Sequence, residues 1–416
     1  MPKTKLLKYF ILIISISGLF VFFERFLPDK LGGNYSKKPS DLNQGLSPKA
    51  KQLMNAAFDG LDSSRILDYH THVVGVGEGN TGNFVNEEML SNFHLVKHFA
   101  FKVYLSAAGI ANSKKADSEY LQRLLELIRN IPHHGKYNLL AFDKNYNLDG
   151  TPNLKKTEFY VPNEYVFSLA ERYPDLFNPV MSVHPYRKDA LTELDKWAQR
   201  GAHLVKWLPN SMNIDPSDEK CKDFYEKMKE RNLVLLTHAG HEKAVEAEDA
   251  QKLGNPILLK APLDAGIKVI VAHCAGLGEV ECVDSSGKLV MRKSFDLFME
   301  MMRDKKYEGL LFGDISAMTQ FNRSGVPLTT VLDNPSIQSR LVNGSDYPLP
   351  AVNIVIRTSL LEDQGYITHS EKQALNEIYN YNPLLFDFVL KRTLRSPKTK
   401  RKFSDSIFMV NPLLGF

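Results

Sequence analysis

The sequence predicts an α/β fold, a (β/α)8 TIM barrel, with a long insertion after the first strand and an N-terminal membrane anchor. Three observations predict it. From residue 66 onward, eight short apolar runs alternate with segments of helical periodicity. The runs are apolar through and through, as parallel strands buried on both faces require. Most of them end in a His, Lys or Asp, and barrels of this kind carry their active sites at the C-terminal ends of the strands.

The elements follow in order. Lys3, Lys5 and Lys8 precede an uncharged run, residues 9–23, which is followed by Glu24, Arg25 and Pro28. A basic flank before an apolar stretch marks a signal anchor or signal peptide, assigned here to residues 1–27. The lysines lie before the run, so the body is expected outside the cytoplasm, membrane-anchored or, after cleavage, secreted or periplasmic. Residues 28–50, rich in Pro, Gly, Ser, Asn and Lys, read as a tether. The barrel is assigned to 51–392 and a basic, then apolar, tail to 393–416.

The strand runs are 66–72, 137–143, 177–184, 203–208, 233–239, 268–274, 310–316 and 340–346. Cys221, Phe224, Tyr225 and Met228 fall at i, i+3, i+4 and i+7, and Ser217 or Asp218 can cap that helix. Phe295, Phe298 and Met302 repeat the pattern, and two more helices are expected near 370–380 and from Pro383. The first crossover, 73–136, is too long for one helix and reads as an insertion over the barrel mouth or packed outside it. A doubly wound open sheet is the alternative. It calls for a glycine-rich phosphate loop after the first strand, and Gly75 and Gly77 lack that register.

Composition sets bounds on function. The 416 residues are 43% hydrophobic and 24% charged, as in a globular protein. A net charge of +4 gives no case for nucleic acid, so a small-molecule substrate is expected; the oligomeric state is open. Cys221, Cys274 and Cys282 contain no CxxC pair and exclude a disulfide-dense scaffold. Cys274 reads as a buried structural thiol.

The residues at the strand ends are His70 and His72, His184, Lys206, His238, His273, Asp314 and Asp346. Counting His241, they take in six of the twelve histidines, which chance would scatter. His70 and His72, two apart at one strand end, can grip one metal ion, and imidazole suits zinc and its neighbours. Asp314 is expected to orient a ligand, cap a helix or hold Arg323. His184, Asn210 and His241, with Glu242 beside it, lie on strand-end loops and read either as substrate contacts or as turn and helix-start residues. Arg187, Arg323 and Arg357 could each meet a carboxylate, with a surface role the preferred reading for any one of them.

This set resembles the amidohydrolase superfamily, and most closely its amidohydrolase-related branch, which includes metal-dependent hydrolases and non-oxidative decarboxylases. The resemblance covers about residues 64 to 390. It implies that His70 and His72 are the first pair of ligands and that His238 in Leu-Thr-His-Ala-Gly is the fifth-strand ligand. It further implies that His273 in Val-Ala-His-Cys is the sixth-strand histidine. Asp346 in Asn-Gly-Ser-Asp-Tyr-Pro becomes both ligand and general base, and Lys206 stands where some members bridge two metals with a carbamate. One divalent ion would use His70, His72, His238 and Asp346, leaving His273 to orient water or substrate. Two ions would add the Lys206 carbamate and place the second on His238 and His273. Zinc is the expected metal. The activity implied is attack of metal-activated water on a small-molecule amide, ester or lactone carbonyl. A decarboxylase or hydratase of the same fold, and a non-catalytic binding barrel, are the alternatives.

Overall fold

The computed structural model describes residues 26–33, 37–245, 247–283 and 286–416. The expected anchor lies almost wholly outside them. Among the described residues no helix is long and apolar enough to cross a membrane.

All eight barrel strands form, each within one residue of its predicted start: β1 Leu67–His72, β2 Lys136–Leu140, β3 Phe177–Val180, β4 Leu204–Trp207, β5 Val234–Thr237, β6 Val269–Val271, β7 Leu311–Asp314 and β8 Leu341–Val342. Parallel ladders join β1 to β2 and β2 to β3, then β4 to β5, β6, β7 and β8 in turn. Two seams close the ring. Lys206 N–H donates to Met181 O (2.7 Å) between β3 and β4, and Tyr69 N–H donates to Asn343 O (2.8 Å) between β8 and β1.

The inner core follows from alternation along the strands. Leu67, Tyr69, Leu140, Val180, Leu204, Val234, Leu236, Ile270, Phe312 and Val342 fill the barrel. In β4 and β5 the same parity leads on to Lys206 and His238 at the top. In β1 it does not: the register against β2 shifts between Asp68 and Thr71. A bulge re-aims side chains, so Tyr69 joins the lower core while His70 and His72 reach the upper rim. The outer core lies between strands and helices, where Cys221, Phe224, Tyr225 and Met228 are buried as the spacing requires, and Asp218 caps their helix start.

One sequence expectation needs correction. Residues 37–50 are no tether. Leu42, Leu46 and Ala50 are buried, and the helix Pro48–Ala56 is capped by Ser47 and docked through Ser47 Oγ to Glu377 Oε2 (2.7 Å). In the tail Lys398, Lys400, Arg401 and Lys402 are exposed, while its apolar residues dock. Phe403, Ile407, Phe408 and Leu414 are buried, and Leu414 closes the bottom of the barrel core. Polar composition misled at 37–50 because a few spaced apolar residues suffice to dock a segment. Lys391 likewise is fully buried, paired with Asp387 Oδ2 (2.5 Å) and donating to Gly344 O (2.7 Å).

The insertion does both things anticipated. Helix Leu95–Ala107 covers the mouth with Phe101, Tyr104 and Leu105, while Ala116–Arg129 takes the ordinary crossover position, packed on helix Pro383–Thr393. Asp117 organises the loop that follows β1, accepting from Val76 N (2.6 Å), Thr81 Oγ1 (2.5 Å) and Asn83 Nδ2 (2.7 Å).

Candidate metal centre

The C-terminal ends of the strands open into a cavity of about 260 Å3. His70, His72, Lys206, His238, His273 and Asp346 all line it, together with Glu242 and Arg323. Its upper walls are apolar, with Val85, Phe101, Phe142, Phe159 and Phe321 among them.

At the floor, His70 Nε2, His72 Nε2 and Asp346 Oδ1 form a triangle with edges of 3.2, 3.1 and 3.5 Å. Three ligands each about 2.0–2.1 Å from one ion stand at such separations. His70 is buried, and its Nδ1–H donates to Asp314 Oδ2 (2.7 Å), which leaves the Nε2 lone pair for the triangle. A carboxylate fixing the tautomer of a ligating imidazole is a recurrent arrangement. Asp314 therefore orients a ligand; it does not hold Arg323 and it does not contact the cavity.

The other imidazoles are prepared in the same way. His273 Nδ1 lies 3.2 Å from the carbonyl of Ser316 and 2.8 Å from its hydroxyl. A carbonyl only accepts, so the proton is on Nδ1 and Nε2 is bare, 3.7 Å from Asp346 Oδ2. His238 Nδ1 faces Glu242 Oε2 at 3.5 Å, and its buried Nε2 has no hydrogen-bond partner among the described residues. A buried nitrogen without a partner costs free energy unless something else occupies its lone pair. The donor set thus fits one divalent ion on the triangle, with His238 and His273 able to serve a second.

The charges agree with this use. Burial, with Lys206 or Arg323 nearby, holds His70 and His273 well below the ordinary imidazole range and lowers His238 too, so all three are neutral donors. Burial would raise the Asp346 carboxyl, but His70, His72 and Lys206 outweigh it and hold the group ionised. Lys206 Nζ lies 3.1 Å from His70 Nε2, and burial lowers it to about 8 against the pull of Asp346, Asp314 and Glu242. Asp314 is raised to about 6 by burial, opposed by hydrogen bonds from Ser316.

Backbone strain marks the same places. His273 (φ 55°) and Asp346 (φ 57°) are non-glycine residues in the left-handed region. Such strain persists where the surroundings over-determine it, and it concentrates at functional sites. Gly344 has to be glycine: a Cβ there would stand 2.5 Å from His70 Cβ.

Three expected substrate contacts lie elsewhere. His184 is buried with Nε2 donating to Met212 O (2.8 Å) and Nδ1 accepting from Tyr186 N. Asn210 holds the loop after β5 through Gly240 O and Gln251. His241 bonds the carbonyl of Glu279 (2.9 Å). Arg323, where the sequence prefers a surface role to a carboxylate contact, is buried in the cavity wall, with Nη1 on Gln320 Oε1 (2.7 Å) and Nε unpartnered among the described residues. Glu242, expected with His241 as a substrate contact or a helix start, instead faces the His238 ring. Its signal was its place four residues after His238, which lets a carboxylate return to that imidazole. Cys274 is a buried free thiol, as expected, and the other two cysteines are also free.

No protein-family model matches the chain, and no curated protein matches its sequence. Several solved structures show a remote likeness in fold. A TIM-barrel protein from Bordetella bronchiseptica is 15% identical, over 75% of this chain and 99% of its own, with a TM-score of 0.46. A 4-oxalomesaconate hydratase from Rhodopseudomonas palustris is 16% identical, over 76% and 95%, with a TM-score of 0.39. A 5-carboxyvanillate decarboxylase from Novosphingobium aromaticivorans, solved with manganese, is 11% identical, over 76% and 94%, with a TM-score of 0.42. In its closed eight-stranded barrel and in the His, Lys and Asp side chains gathered at the C-terminal rim, the chain resembles the amidohydrolase superfamily.

Proposed function

We propose that the chain is a metal-dependent hydrolase cleaving an amide, ester or lactone carbonyl of a small, largely apolar molecule. The observation that carries this reading is the placement of Asp346. One carboxylate oxygen completes the triangle with His70 and His72, while the other lies beside His273. A divalent ion bound by His70, His72 and Asp346 supplies the positive charge that acidifies water and polarises a carbonyl. Zinc suits this donor set, and manganese fits it too. Asp346 Oδ2 takes the proton of the attacking water and returns it to the leaving group. Asp314 keeps His70 in its ligating tautomer, and Ser316 does the same for His273. The apolar walls exclude bulk water from the floor.

Bare Nε2 atoms on His238 and His273, with Lys206 beside them, support a second ion and a carbamate on Lys206. Elemental analysis of the full chain, purified with zinc and bicarbonate, tests this. Two ions per chain support the bridged form, and one supports the triangle alone. A folded chain that binds no ion and turns over no carbonyl substrate overturns the hydrolase reading and leaves a binding barrel.

A second reading, decarboxylation or hydration, is favoured by Arg323, whose buried guanidinium can anchor a carboxylate in the cavity wall. Release of carbon dioxide from aromatic or unsaturated acids would decide for it. The lysines before the charge-free run 9–23 support membrane attachment, with the body on the non-cytoplasmic side. Protease accessibility in intact cells tests that placement.

A further inference from the structure

Helix Leu95–Ala107 has two occupations. Phe101, Tyr104 and Leu105 line the cavity. At its start stand Phe93, Leu95 and Val96, with relative exposures of 97%, 70% and 84%. Contiguous exposed apolar side chains of this size mark interaction sites.

Two other segments meet this one. The short helix Leu27–Gly32 packs on it so closely that a Cβ at Gly32 would stand 2.5 Å from Ser106 Cβ. Phe26, 54% exposed, begins that segment. The carbonyls of Lys30 and Leu31 each accept from Asn353 (2.8 Å). Exposed Ile354 follows, and Val355 O accepts the N–H of Phe321, a side chain that is part exposed and part of the cavity wall. Three neighbouring stretches of chain therefore carry exposed apolar side chains on or beside elements that line one cavity, and together they form an apolar rim.

We propose that this rim is a membrane-contacting face, with Phe26, Phe93, Leu95 and Val96 entering the headgroup region of a bilayer and the cavity opening at the lipid surface. Two observations favour lipid over a protein partner. Phe26 follows within three residues of 9–23, a run without a charged side chain. Cations stand among the apolar tips: Lys30 Nζ is 5.5 Å from the Phe26 ring centroid, and the Arg357 guanidinium is 4.4 Å from that of Phe321. Apolar side chains interleaved with Lys and Arg are the pattern of segments that lie in the interface of anionic membranes. A substrate entering at this rim comes from the lipid phase. That consequence rests on the hydrolase reading; the face itself does not.

The test uses the full chain carrying Phe93→Trp, in phosphatidylcholine and phosphatidylglycerol vesicles with brominated or ordinary acyl chains. Trp197 and Trp207 are fully buried and give a constant background. The added emission should shift to the blue and lose most of its intensity in brominated vesicles, and Val96→Trp should behave alike. Leu413→Trp, exposed on the tail at the opposite end of the barrel, should not be quenched. Emission from Phe93→Trp and Val96→Trp that brominated lipid leaves unchanged would overturn the proposal, whether water, residues 1–25 or a second copy covers the rim. Metal binding and turnover are not read here, so failure of this test leaves the hydrolase reading standing, and the reverse holds.

Discussion

His70 is fixed on three sides: Asp314 on Nδ1, Lys206 near Nε2, and the bare backbone of Gly344 against its Cβ. Gly344→Ala should therefore displace the imidazole and lower metal affinity by roughly tenfold or more, as other losses of support around a ligand do, read by competition with a chelator. Asp346→Asn should keep the far-ultraviolet circular dichroism and lower turnover by roughly 100- to 10,000-fold, the range for loss of a positioned base. Near-normal turnover on an identified substrate would exclude Asp346 as the base. His184 bears on stability instead. Burial lowers its pKa from 6.5 to about 3, and its Nδ1 already accepts a hydrogen bond. A depressed folded value means that its contribution is present above pH 6.5 and is lost as the pH falls towards 3. Urea titrations should show stability declining across that window, with a shallower slope in His184→Asn. At this scale the chemistry was legible where residue types are scarce. His70, His72, Lys206, His238, His273 and Asp346 all reached the cavity. Arg323 and Glu242 were not legible, because loop geometry decides whether a charged side chain turns inward.

Strands were the most legible elements, since buried parallel strands leave long apolar runs. What bends them was not. The bulge in β1 has no glycine or proline to announce it, and Ala272-His273-Cys274-Ala275 gives no hint of three successive left-handed residues from His273 to Ala275. Those distortions come from tertiary closure around the cavity. Helix Pro383–Thr393 shows the same limit: its Lys391 looks like surface in the sequence, yet it lies buried between Asp387 and the Gly344 carbonyl. Lys391→Met should cost about 3–5 kcal/mol by leaving the Asp387 carboxylate buried and unpaired. Asp387→Leu combined with Lys391→Met should recover much of that loss in the same urea titration. If the single variant is as stable as the parent chain, the pair does not hold the helix.

For the molecule as a whole, barrel and metal centre are one stability problem. An ion bound only by the folded chain stabilises it by mass action, so removing the metal with a chelator should lower Tm, and His70→Ala should remove most of that response. At the other end, Ile66 bridges to Met409, Val410 N donates to Arg65 O (2.7 Å), and Asn411 N donates to Tyr69 Oη (2.9 Å). Phe408→Ala should cost about 3–5 kcal/mol, as for any large buried aromatic. The partners in these contacts stand more than 340 positions apart along the chain. A ribosome releases the first strand of the barrel long before it releases the segment that seals it. During that interval the lower core around Tyr69 has no lid, and apolar side chains meant for Leu414 face the translation machinery's surroundings. The nascent chain accordingly needs shelter until residues 403–414 emerge, and truncations that remove them while sparing every strand and every metal donor should accumulate as aggregates.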